Sequence, residues 1–140
     1  HGIRHALLDT GELMARGRKR AHQPWTVGVR DPRDAQALAA TLHIHGCAVA
    51  TSGDYATAFT PDYRHHHIFD PAVGDSPREL ASVTVMANTG MLADGLSTAF
   101  MVLGRERAAA LAASLPGVDL LAIDKQGRAW RSPGFPVNAA

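Results

Sequence analysis

Residues 87–104 read ANTGMLADGLSTAFMVLG and have the pattern of an α-helix. Thr89 or Asn88 can cap the start of this helix, and Gly104 can end it. Residues 82–86, SVTVM, precede it and have the composition of a strand that leads directly into the helix. Apolar side chains at helical spacing predict a buried stripe, which consists of Met91, Leu92, Leu96, Phe100 and Leu103.

Two polar side chains of this helix lie outside the apolar stripe. Asp94 and Thr98 are four residues apart, so they project from adjacent turns on the same face. A carboxylate and a hydroxyl are oxygen ligands that suit Mg²⁺, which commonly takes only one or two protein carboxylates. By spacing alone, the commoner interpretation of such a pair is a solvated or locally hydrogen-bonded one. The spacing therefore leaves both interpretations open.

The composition indicates one globular domain. The chain has 140 residues, of which 46% are apolar and 19% charged, so it can bury a sizeable core. Its 14 basic and 13 acidic residues form no long block of one sign, which argues against a nucleic-acid or membrane-surface partner. A single cysteine excludes an internal disulfide. No apolar run reaches the ~18 residues that a membrane-spanning helix needs.

The order of the predicted elements is strands first, then two helices, then a closing hairpin. This order predicts an α+β fold with a mainly antiparallel sheet and helices packed on one face. A helical turn or two is predicted at residues 35–41, and a second helix at residues 105–114. Strands are predicted at residues 3–8, 25–30, 42–46, 47–51, 64–69, 82–86, 118–123 and 128–131. A further extended piece is predicted to follow a turn at residues 9–13 and to stop near residue 17.

Three consecutive histidines, His65, His66 and His67, lie in the predicted strand at residues 64–69. Successive strand residues point to opposite faces, so at least one imidazole must point away from the other two. A metal site made of all three is therefore not expected. The sequence also lacks a glycine-rich phosphate loop after a strand and a serine nucleophile elbow, which argues against dinucleotide-binding, P-loop and α/β-hydrolase chemistry.

Several segments, in order along the chain, resemble the FAD:protein FMN transferases of the ApbE family. The earlier residues 8–13 and 25–32 also fit the family's pattern, so the resemblance covers nearly the whole chain. The segments that carry it most clearly are TSGDY at 51–55, HHIFDPAVG at 66–74, SVTVM at 82–86 and MLADGLSTA at 91–99.

The resemblance implies a specific reaction and a metal site. Members of this family use Mg²⁺ at the diphosphate of FAD and transfer FMN to a Thr or Ser hydroxyl of an acceptor flavoprotein subunit, with release of AMP. The family's Asp-x-x-x-Thr pattern then assigns the metal ligands to Asp94 and Thr98. Some members have a further carboxylate directly before that threonine, where this chain has Ser97.

The same resemblance assigns the remaining candidate residues. His67, in the His-Ile-x-Asp-Pro segment, is the expected general base, and Ile68 is expected to line the flavin site. Ser52, in the Ser-Gly-Asp-Tyr turn, is an expected flavin contact. The residues alone do not choose among the three histidines; the family pattern does.

Family members are considerably longer than this chain. Residues 1–140 are therefore expected to be the C-terminal part of a single flavin transferase domain, with the absent N-terminal part supplying the remaining metal and FAD contacts. Because such proteins are typically exported and often lipid-anchored, a periplasmic or inner-membrane location is expected, with any membrane association through an N-terminal anchor outside these residues. Two alternative functions stay open: a Mg²⁺-dependent FAD pyrophosphatase, and a non-catalytic flavin-binding fragment.

Overall fold

A computed structural model describes residues 2–136 and has an α+β fold built on a six-stranded sheet. Every neighbouring pair in this sheet is antiparallel. Its spatial order is β1 (Ala6–Asp9), β2 (Leu13–Arg16), β5 (Ala48–Gly53), β6 (Leu80–Ala87), β7 (Asp119–Asp124) and β8 (Ala129–Arg131). A separate antiparallel pair consists of β3 (Trp25–Arg30) and β4 (Leu38–Ile44). The helices are α1 (Gly90–Leu103) and α2 (Arg105–Ser114), so the predicted fold class is confirmed.

The sheet has an apolar cluster on each face. On one face, Ala48 and Ala50 of β5 share a cluster with residues of both helices, as predicted. On the other face, Val49 shares a cluster with β3 and β4, a layer that the sequence did not predict. Because side chains of a strand alternate between faces, Ser52 of β5 faces α1. In the part of the chain that the structure describes, no helix is long and apolar enough to cross a membrane.

The two ends of α1 are those predicted. The hydroxyl oxygen of Thr89 accepts a hydrogen bond from the backbone N–H of Leu92 at 3.3 Å, which caps the helix. Gly104 has a φ of 76° and donates its N–H to the carbonyl of Phe100 at 3.1 Å. This left-handed conformation suits glycine, and it lets α2 begin directly after α1.

The predicted apolar stripe of α1 is wrong in part. Phe100 is buried, but Met91 is 86% exposed and Leu92 is 39% exposed. The helix instead turns its small side chains, Ala93 and Ser97, toward the sheet, and small residues allow the helix to lie close to strands β5 and β6.

The helical turn predicted at residues 35–41 is also wrong, because β4 begins at Leu38. In the β3–β4 pair, Ala40 lies opposite Val29 and Leu42 lies opposite Val27, and all four side chains are buried. An alanine-rich run this short cannot form a stable helix by itself, so burial against the sheet decides its conformation.

No regular strand forms at residues 64–69, contrary to prediction. This segment lies in the long connection between β5 and β6 and makes only an isolated bridge between Ala58 and His66. Ser76 takes the place of a partner strand: its hydroxyl accepts the His66 N–H at 2.9 Å and donates to the His66 carbonyl at 2.7 Å. The alternation of faces is nevertheless present, since His66 and Ile68 are buried while His67 is exposed.

Candidate functional site

A chain of hydroxyl groups connects β5 to α1. The Ser52 Oγ lies 2.8 Å from the Ser97 Oγ and 2.9 Å from the Thr98 Oγ1. Ser97 also donates a hydrogen bond to the backbone carbonyl of Asp94 at 2.9 Å. The structure therefore brings together two of the predicted site residues, Ser52 and Thr98, which are far apart in sequence.

Asp94 lies on the exposed side of α1, one turn before Thr98. Within residues 2–136 its carboxylate makes no hydrogen bond or ion pair with another side chain or with the backbone, and the residue is exposed to solvent. Thr98 is also exposed, and its hydroxyl bonds to Ser52 rather than to Asp94.

These donors fit a hard cation that is only partly held by protein. One carboxylate and one hydroxyl are oxygen ligands of the kind that Mg²⁺ takes, with water and phosphate oxygens completing the coordination. Residues 2–136 contain no group of three or more His, Cys, Asp or Glu side chains that could hold a metal ion by themselves. The site therefore suits a cation whose coordination is completed by water or by the phosphate oxygens of a substrate.

The predicted base and flavin residue are neighbours in the connection between β5 and β6, and their side chains point in different directions. Ile68 is 5% exposed and belongs to the same apolar cluster as Ala93 and Phe100 of α1. His67 points to solvent, while its backbone N–H donates to the carbonyl of Thr57 at 3.0 Å. The imidazole of His67 is thus free to meet a substrate while its backbone is held in place.

His66 is a fully buried neighbour of these residues. Its Nε2 lies 3.2 Å from the backbone carbonyl of Pro77, so Nε2 carries the proton and donates it. Its Nδ1 is buried without a hydrogen-bond partner among the described residues. Burial lowers the pKa of His66 below its ordinary value, with the positive charge of Lys125 acting in the same direction, against smaller opposing effects from the Pro77 hydrogen bond and Asp54.

The lowered pKa of His66 predicts an acid-sensitive stability. The unfolded chain binds a proton at this histidine more readily than the folded chain, so stability is full above the ordinary pKa of about 6.5 and falls as the pH drops below it. We expect the free energy of unfolding, measured by urea denaturation between pH 7.5 and 5, to fall by at most about 1.4 kcal/mol per pH unit from this group. His66→Phe should remove this part of the slope, whereas replacement of the exposed His45 by Gln should keep it.

Sequence reasoning missed a buried ion cluster beside the site. The carboxylate of Asp54 is completely buried and accepts two hydrogen bonds from the guanidinium of Arg33, at 2.7 and 2.8 Å. Lys125 donates to Asp54 at 2.7 Å and to the backbone carbonyl of Tyr63 at 2.6 Å. The Arg33 guanidinium also lies over the Tyr63 ring, 4.3 Å from its centre.

This cluster joins three connections of the fold. Arg33 belongs to the β3–β4 connection, Lys125 to the β7–β8 turn, and Tyr63 to the connection that carries His67. The bond to Asp54 holds the pKa of Arg33 above its ordinary value. Asp54 lies in the same Ser-Gly-Asp-Tyr turn as Ser52, but no sequence signal pairs it with residues so distant along the chain.

Comparison with known proteins identifies the family. The family model described as "ApbE family" matches residues 1–122. The chain belongs to the ApbE family. It is 40% identical to the FAD:protein FMN transferase of Treponema pallidum, over 96% of this chain and 41% of that protein. It is 36% identical to the enzyme of the same name from Salmonella typhimurium, over 96% of this chain and 40% of that protein.

Solved structures of ApbE proteins have the same fold. The ApbE protein of Thermotoga maritima superposes with a TM-score of 0.82 at 35% identity, covering 92% of this chain and 43% of that one. The flavin transferase ApbE of Vibrio cholerae gives a TM-score of 0.79 at 32% identity, over 96% of this chain and 44% of that one. The chain thus spans about two-fifths of the length of these ApbE relatives. The predicted family is confirmed, while the roles of the five site residues stay predictions.

Proposed function

We propose that this chain carries the metal-binding and proton-accepting part of a Mg²⁺-dependent FAD:protein FMN transferase. The observation that carries the proposal is the exposed Asp94 carboxylate beside the Thr98 hydroxyl, with Thr98 hydrogen-bonded to Ser52. The name of the relatives, FAD:protein FMN transferase, supports FAD as the substrate and a protein as the acceptor.

Asp94 and Thr98 would hold the cation at the FAD diphosphate. Bound Mg²⁺ would neutralise the diphosphate and orient the AMP leaving group. In this arrangement Asp94 supplies the negative charge that attracts the cation, and Thr98 supplies a neutral oxygen from the next turn. Their exposure leaves the rest of the coordination to phosphate and water oxygens.

His67 would accept the proton of the acceptor hydroxyl. The oxygen of that Thr or Ser forms a bond to the phosphorus on the FMN side of the diphosphate, and the bond from that phosphorus to the AMP oxygen breaks. Imidazole is the side chain that most often performs such proton transfer. Ile68 is buried in the core, and it would hold the adjoining backbone in place and line the flavin site. A flavin contact at Ser52 stays a prediction.

An assay with FAD, Mg²⁺ and a threonine-containing acceptor peptide tests the proposal on the complete natural polypeptide. Flavin covalently attached to the peptide, with one AMP released for each flavin attached, supports FMN transfer. Free FMN and AMP without labelled peptide would instead establish the pyrophosphatase alternative. FAD binding with no product would support the non-catalytic flavin-binding alternative.

Replacement of His67 by alanine should slow the transfer step. We expect a reduction of about 100-fold in the transfer rate, since a general base typically contributes that much or more. Quenched-flow measurement of peptide-bound flavin at saturating FAD reads this step directly. The control is His45→Ala, because His45 is also exposed but lies just after β4. A His67→Ala rate equal to that of the control would contradict the assignment.

A further inference from the structure

We propose that Ser97 and Ser52 are positioning residues that fix the direction of the Thr98 hydroxyl, so that its lone pairs and not its proton face a bound cation. The inference rests on the proposed cation site at Asp94 and Thr98. Neither serine touches the cation in this arrangement. They act through Thr98.

The direction of the hydrogen bonds follows from counting protons. A serine or threonine hydroxyl has one proton to donate. Ser97 uses its proton on the backbone carbonyl of Asp94, so it can only accept in its 2.8 Å contact with Ser52. Ser52 therefore donates to Ser97, and in its 2.9 Å contact with Thr98 it must accept. Thr98 therefore donates to Ser52, Ser52 donates to Ser97, and Ser97 donates to the Asp94 carbonyl.

Burial of Ser97 fixes the direction of the hydrogen bond at the core end of this chain of hydroxyls. The Ser97 side chain is fully buried between α1 and the sheet, so no water competes for its proton, and its acceptor belongs to the helix backbone. Ser52 is half-buried and Thr98 is exposed. The chain of hydroxyls thus runs from a fixed acceptor in the core to an oxygen at the surface.

The order matters because a cation binds lone pairs and is repelled by a hydroxyl proton. With its proton committed to Ser52, Thr98 presents only lone pairs to the solvent side, where Asp94 also lies. A bound cation would polarise the Thr98 hydroxyl and strengthen each hydrogen bond behind it. Without Ser97, the proton of Ser52 is free to turn toward Thr98 and reverse the last bond.

Manganese binding to the complete natural polypeptide, without FAD, tests this inference. Mn²⁺ takes the same oxygen ligands as Mg²⁺, and its free concentration can be read by electron paramagnetic resonance. We expect Ser97→Ala to raise the Kd about tenfold, the lower end of the effects seen when a group that orients a metal ligand is removed. The matched control is Ser114→Ala, which removes a similar bond, to the Leu111 carbonyl at 2.7 Å, on α2.

A second variant separates positioning from a structural role. Ser52→Ala should also weaken binding, and Ser52→Ala with Ser97→Ala should weaken it by less than the product of the two single effects, because the serines act as one unit. Independent effects would overturn the inference. So would a Ser97→Ala protein that melts at a lower temperature but binds Mn²⁺ like the natural protein.

The Asp94→Ala protein distinguishes failure of the hydroxyl order from failure of the cation site itself. If it loses Mn²⁺ binding while Ser97→Ala and Ser52→Ala keep it, the hydroxyl order is irrelevant and the cation site stands. If Asp94→Ala binds Mn²⁺ as well as the natural protein, the cation site itself is wrong and the inference falls with it. Loss in all three variants, with Ser114→Ala unchanged, supports both.

Discussion

Replacing Asp94 with alanine is expected to reduce Mg²⁺-dependent FMN transfer by about a thousandfold or more. A metal ion at a reacting phosphate supplies several kcal/mol of transition-state stabilisation, and each 1.36 kcal/mol corresponds to a factor of ten in rate. Asp94 is the carboxylate that would hold this ion from α1, and it has no other partner among residues 2–136. Its loss should therefore affect the cation far more than the fold.

The measurement is the initial rate of AMP release at saturating FAD over a range of Mg²⁺ concentrations. Glu106→Ala is the control, because Glu106 is an exposed carboxylate in the first turn of the neighbouring helix α2. Thermal unfolding should be nearly unchanged in both proteins. Transfer by Asp94→Ala at the control's rate, with unaltered Mg²⁺ dependence, would exclude Asp94 as a ligand.

The position of the site within α1 could be predicted from sequence because it depends on local geometry. A helix repeats every 3.6 residues, so the i,i+4 spacing of Asp94 and Thr98 already placed them on one face. The caps at Thr89 and Gly104 follow equally local rules. The rotation of α1 about its axis depends on its fit to the sheet, and so the apolar stripe was only partly correct.

The contact between Ser52 and Thr98 depends on sheet topology, which local patterns do not determine. Ser52 faces α1 because β5 lies between β2 and β6, and because even-numbered residues of β5 point to the helix side. The same limit explains the errors at residues 35–41 and 64–69. In both segments, distant residues provide the burial or hydrogen bonds that decide the conformation.

The ion cluster at Asp54 predicts the largest loss of stability. Asp54→Ala is expected to lower the free energy of unfolding by about 3 kcal/mol, because it leaves two cations facing each other without their buried counter-ion. Arg33 and Lys125 are 30% and 13% exposed, so water can relieve only part of this penalty. Without Asp54 to hold Lys125 in place, its hydrogen bond to the Tyr63 carbonyl should weaken, which should loosen the connection that carries His67.

Urea denaturation of the Asp54→Ala protein, of a control variant and of a triple variant tests whether the ion cluster stabilises the fold. Glu106→Ala is the control, because Glu106 is an exposed carboxylate on α2 and its removal should have little effect on stability. Replacing Asp54 with valine and both Arg33 and Lys125 with methionine should recover most of the stability, since apolar residues of similar volume often substitute well for buried ions. That triple variant should still transfer FMN more slowly than the natural protein if the hydrogen bond from Lys125 to the Tyr63 carbonyl positions His67. Full stability and full rate in Asp54→Ala would show that the cluster supports neither the fold nor the site.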